Sequence, residues 1–184
     1  MNTQNDYRPS LVDGAQPRLF GWPDAIKRRE LPLGQMPMLD HVLAAAYAYW
    51  HAKHQPPRLP ARTDIDILEI PPLIKHLHIV DVSDRDPNEW RFRIVGAVVP
   101  KEFGWGFGRE RVSGCPWPVY RQALLDDFGA VKETTRPLYQ EVALRLDNRV
   151  FEYARVLMPL ADDGYNTDTL MNCVVRRATP GLAV

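Results

Sequence analysis

The sequence predicts an α+β fold: a five-stranded antiparallel sheet, a helical insert between its second and third strands, and a helix ahead of the sheet. Two alternating runs precede a stretch rich in glycine and proline, and three more follow it. The turns between consecutive runs are short and built from Asp, Asn, Gly and Ser, which is the chemistry of antiparallel neighbours. Strands grouped before and after one helical segment, without repeated βαβ units, place helices on one face of such a sheet.

Residues 1–37 carry Pro9, Pro17, Pro23, Pro32 and Pro37 with no sustained period, and read as a loosely ordered arm. Leu19, Phe20, Trp22 and Ile26 are its candidate docking residues. From 38 to 55 the pattern becomes helical, with Leu39, Val42, Leu43, Ala46, Tyr47 and Trp50 at i, i+3, i+4 spacing. Gln55-Pro56-Pro57 ends the helix, because proline lacks the amide and restrains the residue before it. The stripe must be buried, either on its own domain or against a second copy; Leu39, Leu43, Tyr47 and Trp50 are the self-association candidates.

The phrase "LPARTDIDILEIPPLIKHLHIVDVSD", residues 59–84, leads into the sheet. Asp64-Ile65-Asp66 caps or turns the chain, and Pro71-Pro72 opens a helical turn, since proline suits the first helical position. Leu73 and Leu77 then face inward. The first strand runs over 76–82. The second covers 89–95, with Trp90, Phe92 and Ile94 alternating against Arg91 and Arg93, a hairpin with one wet face. After Gly96 the period of two is lost until about residue 136, apart from a helix over 119–128 with Tyr120, Leu124, Leu125 and Phe128 on one side. Strands over 139–146, 150–160 and 169–177 complete a domain spanning 38–178, and 179–184 form a tail.

Composition excludes several classes. Lys and Arg total 23, Asp and Glu total 23, and the net charge is zero, so nothing draws the chain to nucleic acid or anionic lipid. Cys115 and Cys173 are too few for a disulfide framework and point to a reducing, cytoplasmic setting. The start lacks the basic-then-apolar order of a signal peptide. The longest apolar stretch, Val42–Trp50, is far short of the roughly 20 residues that span a bilayer.

Candidate sites are weighed against plain structural roles. "GWGFGRE" has glycines that could approach an anion, but it matches neither GxxxxGK[ST] nor GxGxxG; it reads as a loop anchored by Phe103, Trp105 and Phe107. His51 with His54, and His76 with His78, lack supporting ligands and read as solvated or core-edge histidines, so no metal is expected. Asp126-Asp127 reads as a solvated helix end and Asp162-Asp163 as a turn. Neither Gly-x-Ser-x-Gly nor His-Glu-x-x-His occurs, and Asp81 points away from His76 and His78 by strand parity, so no enzyme is expected. A sheet curved over a helical insert makes an apolar pocket with a few polar groups. Trp117, Tyr120, Tyr153 and Arg155 are its candidate lining; the alternative is that they fill the core completely.

"LPARTDIDILEIPPLIKHLHIVDV", "WRFRIVG" and "VLMPLADDG", in that order, resemble the lead-in, the second strand and the last hairpin of single-domain bacterial PAS-like sensory proteins. The resemblance spans about residues 38–178. The expanded "EFGWGFGRERVSG" departs from it, and the helical insert is the part it transfers least. Asn172-Cys173-Val174 lies in a strand and does not match the Asn-Cys-Arg phrase of flavin-binding relatives. The resemblance implies a PAS-like fold and a signalling module without its own output domain. Such a module acts on another signalling protein as a homodimer, with a small apolar or amphipathic ligand as modulator and the cofactor unknown. The rivals are a sensor holding haem, for which Cys115-Pro116 offers a thiolate, and a small enzyme of cupped α+β fold.

Overall fold

The computed structural model describes residues 25–98, 110–146 and 149–177. The arm residues Leu19, Phe20 and Trp22, the loop aromatics Phe103, Trp105 and Phe107, the turn residues Asp147 and Asn148, and the 179–184 tail lie outside these. In order, the described elements are β1 (Ala25–Glu30), α1 (Met36–Leu39), α2 (His41–Lys53), β2 (Leu77–Asp81), β3 (Arg91–Val95), α3 (Pro118–Thr134), β4 (Leu138–Leu146), β5 (Arg149–Leu160) and β6 (Thr169–Arg176). All strands form one sheet in the order β1-β4-β5-β6-β2-β3, and every neighbouring pair is antiparallel.

The α+β class stands, with six strands rather than five. The additional strand is β1, inside the segment expected to be a loose arm. It pairs with β4 from Ala25↔Arg145 to Glu30↔Gln140. Ala-Ile-Lys-Arg-Arg-Glu carries one large apolar residue, Ile26, so its sequence shows no alternation to read. Its backbone pairing and exposed charges suit the edge of a sheet, where lysine and arginine discourage further pairing.

Helices cover both faces of the sheet, not one. β5 shows why: Tyr153 to Leu160 are all buried, so neither side of that strand meets water. Tyr153 and Leu157 face α3 in a cluster with Tyr120, Leu124 and Phe128. Ala154, Val156, Met158 and Leu160 face α2 in a second cluster with Leu43, Ala46 and Trp50. The unbroken apolar run "VLMPLA" is the signature of such two-sided burial.

The helical stripe is therefore consumed inside the chain. Leu43 and Trp50 are 0% and 1% exposed, and Trp50 Nε1 donates to the Pro159 carbonyl at 2.9 Å. They offer no free self-association surface. Tyr47 is half-buried, and Leu39 is exposed because extended backbone at Asp40 separates α1 from α2 and takes Leu39 out of the stripe.

The lead-in performs as its sequence implies. Asp66 accepts from the Leu68 amide, Pro71 and Pro72 open a 3-10 turn reaching His76, and Leu73 and Leu77 are buried. Tyr49 of α2 donates to Glu69 at 2.8 Å and accepts from the Asp66 amide at 3.0 Å, which fastens the helix to this segment. β2 itself lies between β6 and β3, inside the sheet rather than at its edge. In the β2–β3 hairpin the register shifts between Ile79 and Val80. That irregularity separates Ile94 from Phe92: Phe92 joins the α3 cluster and Ile94 packs with the α2 cluster. α3 is longer than its apolar pattern implies, opening on Pro118 and closing at Thr135 in left-handed conformation, φ 55°.

A Cβ at Gly96 would lie 2.5 Å from the Lys75 carbonyl oxygen, whereas one at Gly34 would meet nothing within 4 Å. Gly96→Ala should cost about 1–3 kcal/mol in urea denaturation, and Gly34→Ala should stay within about 0.5 kcal/mol of wild type. Leu43→Ala should cost about 2–5 kcal/mol at any protein concentration, since the cavity opens within one chain; a cost that appears only on dilution would assign Leu43 to an interface.

Candidate functional site

Strand parity sends a row of polar side chains to the α3 side of the sheet, among apolar ones. Gln140 on β4 stands opposite Arg155 on β5, and Asn172 on β6 stands opposite His78 on β2. Tyr153 shares the β5 face with Arg155, two residues away. α3 brings Trp117 as its N-cap residue, then Tyr120, Asp127 and Phe128 along its inner side. Asp127 falls on the helix stripe Tyr120, Leu124, Val131 at i, i+3, i+4 spacing, which is why it points inward.

Arg155 is the centre of this layer. It is 2% exposed; its Nε and Nη2 donate to Gln140 Oε1 at 3.0 and 2.8 Å, and Nη2 also donates to Asp127 Oδ2. Its guanidinium lies 5.8 Å from the centre of the Phe128 ring and 5.9 Å from that of Tyr153. A buried cation needs such partners, since an unpaired charge in this setting costs several kcal/mol (about 3–5 when a partner is removed). Asp127 is buried too, and its second oxygen, Oδ1, accepts from Arg28 Nη1 of β1 at 2.7 Å.

Beside this satisfied group lie polar atoms that are not satisfied. Both ring nitrogens of His78 and Oδ1 of Asn172 are buried without a hydrogen-bond partner. His78 is 2% and Asn172 4% exposed. Orphaned buried polar groups are rare because each costs about 1–3 kcal/mol, and each calls for a missing partner. Burial, with the nearby Arg155 charge, pushes His78 down to about 3, so the ring is neutral and offers one donor and one acceptor. Burial and the neighbouring Tyr153 hold the Tyr120 hydroxyl well above the usual phenol range.

A second polar cluster sits on the α2 side. Asp40, at the junction of α1 and α2, accepts two hydrogen bonds from Arg177 at 2.5 Å and one from the Tyr139 hydroxyl at 3.0 Å. Burial and Asp40 push Tyr139 up to about 12.

The four residues proposed from sequence as pocket lining, Trp117, Tyr120, Tyr153 and Arg155, come together on one side of the sheet, all buried. The four proposed for self-association do not form a surface: Leu43 and Trp50 are core. Sequence reasoning missed His78, read as solvated or core-edge, and Asp127, read as a solvated helix end. It also passed over Gln140 and Asn172. Each sits at an inward position of an otherwise apolar pattern, and that was the available signal. His76 is half-buried, with Nδ1 2.9 Å from the Val174 carbonyl. Asp162-Asp163 does form a turn; Asp163 accepts the amides of Asn166 and Tyr165, which hold its carboxyl down at about 2.

Cys115 and Cys173 are free and buried, and burial raises their thiols to about 11 and about 12. Cys115 does not fit a thiolate ligand: its Sγ is packed in the α3 cluster, 3.8 Å from the Trp117 carbonyl. Among the described residues no group of three or more His, Cys, Asp or Glu is placed to hold a metal ion, and no helix is long and apolar enough to cross a membrane.

A family model described as a PAS domain matches residues 38–174. The chain belongs to the PAS domain family. No curated protein and no solved structure matches it. The PAS match begins after β1, so the core of the fold is the β2–β6 sheet with α2 and α3, and β1 is an addition at its β4 edge. A PAS domain is a sensory or signalling module, and in this one the polar layer between the sheet and α3 holds unmet hydrogen-bonding capacity at His78 and Asn172.

His78 gives a pH prediction. The folded state keeps the ring neutral down to about pH 3, while the unfolded chain binds its proton near the ordinary value of 6.5. The unfolded state therefore binds more protons in this window, and stability falls as pH falls from about 6.5 toward 3, by at most about 1.4 kcal/mol per pH unit. Urea denaturation at pH 6.5 and pH 5 should show wild type losing about 2 kcal/mol more than His78→Gln. Equal losses in the two proteins would remove His78 from the account.

Proposed function

We propose that this PAS domain binds a small amphipathic ligand between α3 and the sheet and signals its occupancy to another protein. The observation that carries the reading is the pair of buried, unpartnered groups, His78 and Asn172, facing each other across β2 and β6. A ligand that accepts from the protonated ring nitrogen of His78 and donates to Asn172 Oδ1 would give each group a partner and leave one ring nitrogen of His78 as an acceptor for a further donor. Trp117, Tyr120 and Tyr153 supply the apolar surroundings, and Arg155 is held beside them with its charge already balanced by Asp127. A neutral or weakly polar ligand suits this balance better than a strongly charged one.

The module is read as non-catalytic. Asp81, the acid nearest the β2 histidines in sequence, pairs with Arg93 and caps Ser83 on the solvent side, and His78 faces the opposite way. For partner contacts, exposed apolar side chains at α1 support the reading: Met38 is 88% and Leu39 49% exposed. Free buried cysteines accord with a reducing, cytoplasmic setting.

Native mass spectrometry of freshly purified protein, paired with an absorption scan, tests the ligand. The expected result is a species heavier than the 21.1 kDa chain that reverts to the chain mass on denaturation. The excess should be lost from His78→Leu and Asn172→Leu. A bare chain mass under every native condition would sink the ligand reading and leave protein contact alone.

A further inference from the structure

The carboxylate of Asp127 has one oxygen in the core and the other at the sheet edge. Oδ2 takes Nη2 of Arg155, the most buried charge in the α3 layer; Oδ1 takes Nη1 of Arg28, which belongs to β1. Arg28 also donates to the Ala123 carbonyl at 3.3 Å and to Asp126 Oδ2 at 3.4 Å, so its side chain reaches from the strand to α3. Another side-chain hold of β1 is exposed: Arg29 Nη2 meets Glu141 Oε2 of β4 at 2.5 Å. β1 pairs with β4 alone, Lys27 to Glu30 are exposed, and Ile26 packs only partly against the core. It also lies outside the residues that the PAS model matches.

We propose that Asp127 couples the core site to β1, so that the docking of this added strand depends on how Arg155 is engaged. The proposal concerns the regulation of the site described above, and rests on that reading only in placing Arg155 there. Arg155 and Gln140 fix the Asp127 side chain in the orientation that presents Oδ1 to Arg28. When Arg155 is drawn away from it, a buried carboxylate loses its core partner and its fixed geometry, and Arg28 loses its acceptor. β1 then keeps its edge hydrogen bonds to β4, the exposed Arg29–Glu141 pair and the longer contacts of Arg28 with Ala123 and Asp126, but loses its shortest tie to α3. Its departure uncovers the backbone groups along β4, the kind of edge that accepts a strand from a partner. The two arginines bind opposite oxygens of one carboxylate, which is the route proposed for the dependence between them.

Hydrogen–deuterium exchange of the β1 amides tests this on the ligand-free protein with Arg28→Gln, Arg155→Met and the double variant. Arg155→Met should speed exchange in β1 about tenfold while the β5 and β6 amides at Val156 and Cys173 keep their protection. The double variant should exchange no faster than the faster single one, as expected for two partners of one group. Wild-type exchange in β1 of Arg155→Met, or effects that multiply in the double variant, would overturn the coupling. Should Arg155→Met fail to fold, Arg155→Lys carries the same comparison, because it keeps the charge and loses the planar fork. A failure here leaves the ligand reading standing, and a bare chain in the mass spectrometer leaves this coupling standing.

Discussion

From Tyr153 to Leu160 β5 is dry on both sides, and the other elements are arranged around that constraint. Its odd-numbered residues require α3 above them and its even-numbered residues require α2 below, so neither helix is optional to the sheet. The same constraint governs its polar groups. Arg155 has no water to reach, hence Gln140 and Asp127 must meet it. Pro159, which has no amide to give, is tolerated because β4 pairs no further along β5 than Leu157, two residues earlier. Its carbonyl is taken by Trp50, which ties the far helix to the same strand.

Most of the sheet was legible in the sequence because alternation survives wherever one face of a strand differs from the other. The boundaries of β2 to β6 fall within two residues of the expected ones. β1 was not legible: an edge strand of charged residues has no contrast between its faces, and its nearest prolines favour reading a loose arm. The one-faced placement of helices was also a misreading. "VLMPLA" is uniformly apolar rather than alternating, and uniformity means two buried faces, which demands a second layer.

The candidate site divides in the same way. Trp117 and Tyr120 in the insert, with Tyr153 and Arg155 sharing a strand face, were legible as inward candidates, and all four are buried on the α3 side of the sheet. Single polar residues inside apolar patterns did not announce His78, Asp127, Gln140 and Asn172, since chemistry alone ranks such residues as surface. Their periodic positions contradict that ranking: His78 shares the strand parity of Val80, and Asp127 lies on the helical stripe of Leu124 and Val131 at i, i+3 and i+4 spacing. Where residue type and position disagree in this way, position identifies the buried groups, and a buried polar group then needs a partner.

The clamp between Arg177 and Asp40 has a mechanical meaning. Arg177 follows directly on β6, while Asp40 is the hinge between the exposed turn of α1 and the long helix α2. Two parallel hydrogen bonds resist shear better than one, and the Tyr139 hydroxyl braces the same carboxylate from below. A pull on the backbone at Arg177 is therefore felt at the α1–α2 joint as well as in the sheet, where the Arg177 amide donates to the Glu152 carbonyl. The fold has a tether between the exit of its last strand and its N-terminal helix, through which a load at one is felt at the other.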